Sequence, residues 1–183
     1  MIIAIHLISF ERHFGKLVLQ FQELKENGYE DETSKCFLQT FEKSDIDYLK
    51  GKTKLKRVFL MGSIWKEIAK TPSILQDIQK WALDNEIDGY GVIKDALVLK
   101  TQDNHIASIN TKFIDQTHAM KKVIHVYTFR NEYMHLEWDY GQDPYTEYDF
   151  YFSLGIDGYF SDFPRTARQY LDWKRESAVK LEL

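Results

Sequence analysis

Cysteine is almost absent. Cys36 stands alone among 183 residues, so no disulfide can form within the chain. It heads the apolar run Cys36-Phe37-Leu38 and reads as a buried structural thiol rather than a nucleophile. Long hydrophobic runs are missing too. Nothing approaches about eighteen consecutive apolar residues, so no transmembrane helix is expected. Met1 to Ile8 is apolar but lacks a basic flank and a small-residue cleavage site. It reads as a strand, not a signal peptide, and the compartment stays open. Positive charge is not in excess: 24 Lys and Arg face 28 Asp and Glu, a net charge of −4. That balance argues against a nucleic-acid partner. Low-complexity linkers and internal repeats are also absent. The length fits a single domain over 1–183, and a hydrophobic content of 44% is enough to build a core.

What is present is an alternation of strand and helix. Ile2 to Leu7 reads as a short strand. Leu17, Leu19, Phe21 and Leu24 give helical spacing from Phe14 to Asn27, with Gly28 as the C-cap. Cys36 to Phe41 is the next strand. Ser44 is the expected N-cap of a helix from Asp45 to Lys50. Arg57 to Met61 is a third strand. Ile64 to Asn85 holds one or two helices, interrupted near Thr71-Pro72. Asp88 to Ile93 is strand-like, and Ala96 to Lys100 either extends it or begins a loop. Asn110 or Thr111 caps a helix through Met120. Val123 to Phe129 and Tyr159 to Phe163 are strands, separated by a helix from Tyr145 to Leu154. A helix from Thr166 to Ala178 closes the chain. Six strands in βα order predict a parallel sheet. In a parallel α/β barrel the residues just past each strand's carboxyl end line the site. Arg130, Asn131, Glu132, Ser161 and Asp162 hold such positions.

Three ordered motifs in the last third are specific. They are His125 to Glu132 (HVYTFRNE), Asp143 to Tyr148 (DPYTEY) and Gly155 to Pro164 (GIDGYFSDFP). Together they resemble the carboxyl end of the glycerophosphodiester phosphodiesterases, with Val126 where that family often has Pro. The resemblance extends forward through Gly89 to Asp95, Phe37 to Glu42, Gly28-Tyr29, and Phe10 with Gly15. It implies an incomplete TIM barrel, running from the third strand to the eighth. It also implies hydrolysis of glycerophosphodiesters to an alcohol and glycerol 3-phosphate, within lipid and glycerol metabolism. Complete members of the family use a divalent cation, Mg or Ca. They take one histidine from an HRG at the first strand, two carboxylates from an ExD at the second and a further histidine soon after. An ExK on the third strand adds a carboxylate and a lysine.

None of this catalytic set is intact here. The chain has no His-Arg-Gly, and no Glu-x-Asp followed by His at the required location. Glu30-Asp31-Glu32 lies in a loop leading into a strand, at the wrong barrel face. The family's third-strand Glu and Lys positions align with Ala4 and His6. The expectation is therefore no catalytic residue, no metal site and no cofactor in this chain: a truncated or inactive relative, a pseudoenzyme taken alone.

A remnant substrate-binding set is assigned to Lys94, Gln39, Arg130, Tyr127 and His6. Lys94 reads either as a phosphate contact or as a solvated strand-end lysine. Arg130 reads first as a structural brace, with ligand contact the other reading. Tyr127 packs in the core or touches glycerol. Gln39 faces the site or does not. His6 reads first as a tolerated replacement and second as an acid or base. The expected ligand is a small phosphodiester or glycerol phosphate. Unpaired edges at Ile2–Ile5 and Tyr159–Phe160 predict edge-to-edge self-association. Three accounts follow: a piece of a larger enzyme, a non-catalytic phosphate or glycerol binder, and an interaction protein.

Overall fold

The computed structural model describes residues 3–6, 22–34, 36–71 and 73–181. Residues 14–21 of the helix expected from Phe14 to Asn27 lie outside them, as do Ile8, Phe10 and Pro72. The chain packs as two compact units, Met1–Val92 and Ile93–Leu183.

The first unit is built on parallel pairing. Strand β1 (Ile3–His6) is followed by helix α1 (22–26), strand β2 (Cys36–Thr40), helix α2 (Lys43–Leu49) and strand β3 (Lys56–Leu60). Then come helices α3 (Ile64–Lys70) and α4 (Ser73–Asp84) and strand β4 (Gly89–Ile93). β1 pairs with β2, β2 with β3 and β3 with β4, all parallel. Every residue of β2 is buried, as a strand covered on both faces requires. Leu24, Cys36, Leu38, Leu49 and Leu55 pack together, with Tyr29 and Tyr48 against them. The Phe59 and Trp81 rings meet at 5.0 Å. At the start of β3, the Arg57 amide donates to Asp88 Oδ2 at 2.7 Å, and its guanidinium donates to the Glu86 carbonyl at 3.0 Å.

The entry to α2 corrects the sequence reading. The helix begins at Lys43 with Glu42 as N-cap, so Ser44 lies inside it. The side chain serving the turn is Thr40: its hydroxyl donates to Asp45 Oδ2 at 2.8 Å and accepts from the Glu42 amide at 3.0 Å. A buried threonine at the strand end thus replaces the serine cap. The stretch read as one or two helices holds two, α3 and α4.

The second unit opens with a 3-10 turn, Lys94–Ala96. An antiparallel hairpin follows, β5 (Val98–Lys100) with β6 (Ile106–Ile109). The sequence reading missed this hairpin, because strands of three and four residues carry too little periodicity to register. Next come helix α5 (Thr111–Ala119), strand β7 (Val123–Phe129), helix α6 (Pro144–Ser153), strand β8 (Gly158–Ser161) and helix α7 (Pro164–Leu181). β7 and β8 are parallel, with His125 opposite Gly158 and Val126 opposite Tyr159. Asn110 does precede α5, but its side chain caps nothing there; it donates to the Ala96 carbonyl at 3.3 Å. Asp143 caps α6, accepting from the Tyr145 amide at 3.0 Å, with Pro144 in the first turn. Gly155 leaves α6 at φ +95°, a conformation that favours glycine.

Close approach explains Gly158. A Cβ there would lie 2.8 Å from His125 Cδ2 on the neighbouring strand. Gly158→Ala should force the imidazole or the β7–β8 pairing to move and cost about 1–3 kcal/mol, read by urea denaturation. A neutral outcome would mean the two strands are not this close.

The core of the second unit is aromatic. Phe129 stacks on Tyr148 at 4.7 Å and meets Tyr151 edge-on at 5.2 Å. Tyr148 continues to Tyr170 of α7 at 5.1 Å. Phe129, Tyr148, Tyr151 and Tyr170 are all buried, so one stack joins β7, α6 and α7.

Candidate functional site

The strand-end residues singled out by the sequence fall in both units. In the first, His6 ends β1 and is paired in register with Gln39 of β2. Gln39 is buried, and its Oε1 has no hydrogen-bond partner among the described residues. A buried amide oxygen left this way costs free energy unless water or a ligand answers it.

In the second unit, Lys94 and Arg130 converge on one residue. Lys94 follows β4 and donates from Nζ to the His135 carbonyl at 2.9 Å. Arg130 follows β7, and its guanidinium lies 3.4 Å from His135 Nε2. The two cations therefore flank a single 3-10 turn, Tyr133–His135. Their environments differ sharply. Lys94 is buried, with its ammonium 2.5 Å from Glu147 Oε1. Arg130 is two-fifths exposed at 40% and donates from Nε to Asp162 Oδ2 at 2.6 Å. Of the residues expected beside it, Asp162 is its partner, while the Asn131 amide donates to Thr166 at 2.8 Å. The Tyr148 hydroxyl donates to Ser161 at 2.9 Å. Tyr127 is half-buried, its ring 6.2 Å from Phe160.

The electrostatics explain why Lys94 sits where it does. Glu147 is fully buried, in the first turn of α6. Burial pushes its carboxyl up to about 7, while the Lys94 ammonium pulls it back. A second buried carboxylate, Glu137, raises Glu147 further and pairs with Lys100 of β5 at 2.9 Å. One oxygen of each carboxylate has no partner among the described residues. Burial likewise pushes His125 down to about 4, so it is neutral at pH 7.

Lys94, Glu147, Glu137 and Lys100 together fix the connection between β7 and α6. Asn104 adds a bond from its amide to the Leu136 carbonyl at 2.7 Å. Sequence reasoning missed Glu147, Glu137, Lys100 and His135. Lys94 and Glu147 belong to separate motifs 53 residues apart, and neither motif signals that the other neutralises it. Among the described residues, no group of three or more His, Cys, Asp or Glu is placed to hold a metal ion. No described helix is long and apolar enough to cross a membrane.

Residues 7–166 match the profile of the Glycerophosphoryl diester phosphodiesterase family. Glycerophosphodiester phosphodiesterase GDPD6 of Arabidopsis thaliana is 29% identical over 143 residues, 75% of this chain and 38% of that protein. Protein SUPPRESSOR OF NPR1-1 CONSTITUTIVE 4, also of Arabidopsis thaliana, is 28% identical over 156 residues, 85% of this chain and 13% of that protein. The chain thus spans well under half the length of either relative. Among solved structures, an Oleispira antarctica phosphodiesterase in complex with the product sn-glycerol-3-phosphate superimposes with a TM-score of 0.59. That likeness, at 13% identity, covers 94% of this chain and 56% of the other. It concerns the fold, and with the parallel βα units described above it gives the chain the fold class of an incomplete β/α barrel.

Proposed function

We infer the function from one premise: the chain belongs to the Glycerophosphoryl diester phosphodiesterase family. Our reading is that residues 1–183 by themselves do not hydrolyse phosphodiesters. In a protein that contains this chain, the proton carriers and metal carboxylates come from residues outside it. The observation that carries this reading is in the sequence. None of the six histidines is followed by Arg-Gly, and the third-strand positions expected to hold Glu and Lys hold Ala4 and His6. Hydrolysis needs charge stabilisation at the non-bridging oxygens together with an acid and a base. Loss of one oxyanion donor alone costs about two to three powers of ten in rate.

What this chain contributes is the phosphate and glycerol end of the site. In the second unit that role falls to Arg130 and Tyr127, with Lys94, paired to Glu147, bracing the turn that carries His135; Gln39 and His6 are the first unit's own candidates. The convergence of Lys94 and Arg130 on His135 supports the reading, as does the partial exposure of Arg130, where a phosphate oxygen competes with Asp162 for the guanidinium. The ligand class follows from the Oleispira antarctica enzyme, whose structure holds sn-glycerol-3-phosphate. The chain then acts alone as a binder, or as part of a larger enzyme.

Two measurements on residues 1–183 test this. Glycerophosphocholine incubated with the chain and Mg or Ca should release glycerol 3-phosphate no faster than buffer alone. Metal-dependent turnover that rises with protein concentration would overturn the proposal of inactivity. Calorimetry with glycerol 3-phosphate should show binding that Arg130→Gln weakens. Absence of heat in the parent chain would remove the binding role and leave the inactivity standing.

A further inference from the structure

A cleft of about 550 Å³ opens between α6 and α7, lined by Asp143, Tyr145, Thr146, Asp149, Gln169 and Trp173. It shares no residue with the Lys94–Arg130 group. Its charged lining is of one sign, Asp143 and Asp149. Asp149 is held below the usual carboxylate range by hydrogen bonds from Lys174 and Tyr170, so it is ionised at neutral pH. The aromatic lining is oriented rather than loose. The Tyr145 hydroxyl donates to Gln169 Oε1 at 3.2 Å, and its ring stacks on Tyr170 at 6.3 Å. Trp173 is half exposed, at 50%.

The chain shows which chemistry this lining accepts. The Lys174 ammonium lies 2.8 Å from Asp149 Oδ1 and 5.5 Å from the centroid of the Trp173 ring. A primary ammonium is therefore held between a carboxylate and an indole face, at the edge of a cavity large enough for a small molecule. Lys174 is itself exposed, at 47%, on a flexible four-carbon stem, so its hold is weak and reversible. An incoming amine meets the same two groups, and Asp143, whose oxygens already accept from the Tyr145 amide and the Thr146 hydroxyl, adds a second negative charge to the lining.

We propose that the α6–α7 cleft binds small primary alkylammonium ligands over Trp173 and between Asp143 and Asp149, in competition with the chain's own Lys174. The occupant is a small amine rather than a protein, because the cavity is of small-molecule size and its lining sets two carboxylates against the Lys174 ammonium at its edge. The proposal does not rest on the phosphodiesterase reading, since it uses none of those residues.

Titration of the 183-residue chain with ethanolamine tests it, followed by the indole N–H resonance of Trp173 and assigned through Trp173→Phe. Sodium chloride at equal ionic strength and uncharged ethylene glycol serve as controls. The expected result is a saturable shift with a Kd in the millimolar range, absent in both controls. Lys174→Met removes the internal competitor and should tighten binding about tenfold, from the loss of one cation–π contact and one exposed ion pair. Asp149→Asn in the same background should abolish the gain. Tetramethylammonium, which cannot donate a hydrogen bond to Asp149, should bind more weakly than ethanolamine. No saturation by about 100 mM amine in either the parent or the Lys174→Met chain overturns the proposal. So does an equal response to ethylene glycol, or weaker binding after Lys174→Met.

Discussion

Lys94→Met should lower the stability of the chain by about 3–5 kcal/mol at pH 8, one of the largest effects of any single substitution here. The side chain keeps its length, so packing changes little. What is lost is the cation 2.5 Å from a carboxylate with no exposure at all, together with the donor to the His135 carbonyl. A buried ion pair broken from one side leaves an uncompensated charge, and that costs more than the pair contributed. Glu147 can escape by taking up a proton. Burial already pushes it up to about 7 with Lys94 in place, and removing Lys94 drives it higher. The penalty should therefore shrink as the pH falls towards 5.

Linkage fixes the sign. Glu147 binds its proton more tightly folded than unfolded, so its contribution to stability falls as the pH rises from about 4.5 to about 7. His125 works the other way. Its folded value of about 4 lies below the usual 6.5, so stability falls as the pH drops through that interval. The two nearly cancel in the parent chain between about pH 4.5 and 6.5. Urea midpoints of the parent and Lys94→Met at pH 5 and 8 check this, and Lys94→Met/Glu147→Gln should regain more than half of the loss at pH 8. A pH-independent loss would show that packing, not charge, is what Lys94 supplies.

Phe129→Ala should cost a similar amount, about 3–5 kcal/mol, by a different physical route. Phe129 is 1% exposed and meets Tyr148, Tyr151 and Tyr159 at 4.7, 5.2 and 5.5 Å. Truncation opens a cavity among rings on β7, α6 and β8 that cannot collapse together. Phe129→Leu fills most of the volume and should cost less than about 2 kcal/mol. The loss should not vary with pH, which separates it from that of Lys94→Met. Chemical denaturation gives both numbers, and a loss below about 1 kcal/mol for Phe129→Ala would mean the aromatic stack does not hold this unit together.

Those two contrasts mark what the sequence could and could not disclose. The six parallel strands were legible within one or two residues at their ends, because each is a short apolar run bounded by turn residues. The start of α6 was legible as well, since Asp143-Pro144 states its own cap. Such signals are local: a strand's pattern or a helix's first turn is encoded within a few neighbouring residues. The β5–β6 hairpin escaped because its strands are too short to show a period. Ser44 was assigned a capping role that Thr40 and Glu42 share from outside the helix.

The site divides along the same line. Its residue types and their places at strand ends were readable from motif order alone. That Lys94 is spent on Glu147, that Arg130 chooses Asp162 over its near neighbour Glu132, and that both cations meet at His135 were decided by contacts spanning up to 53 residues. No local pattern encodes such a pairing. Burial sets the cost of each charge, and only the folded chain determines which charges are buried together.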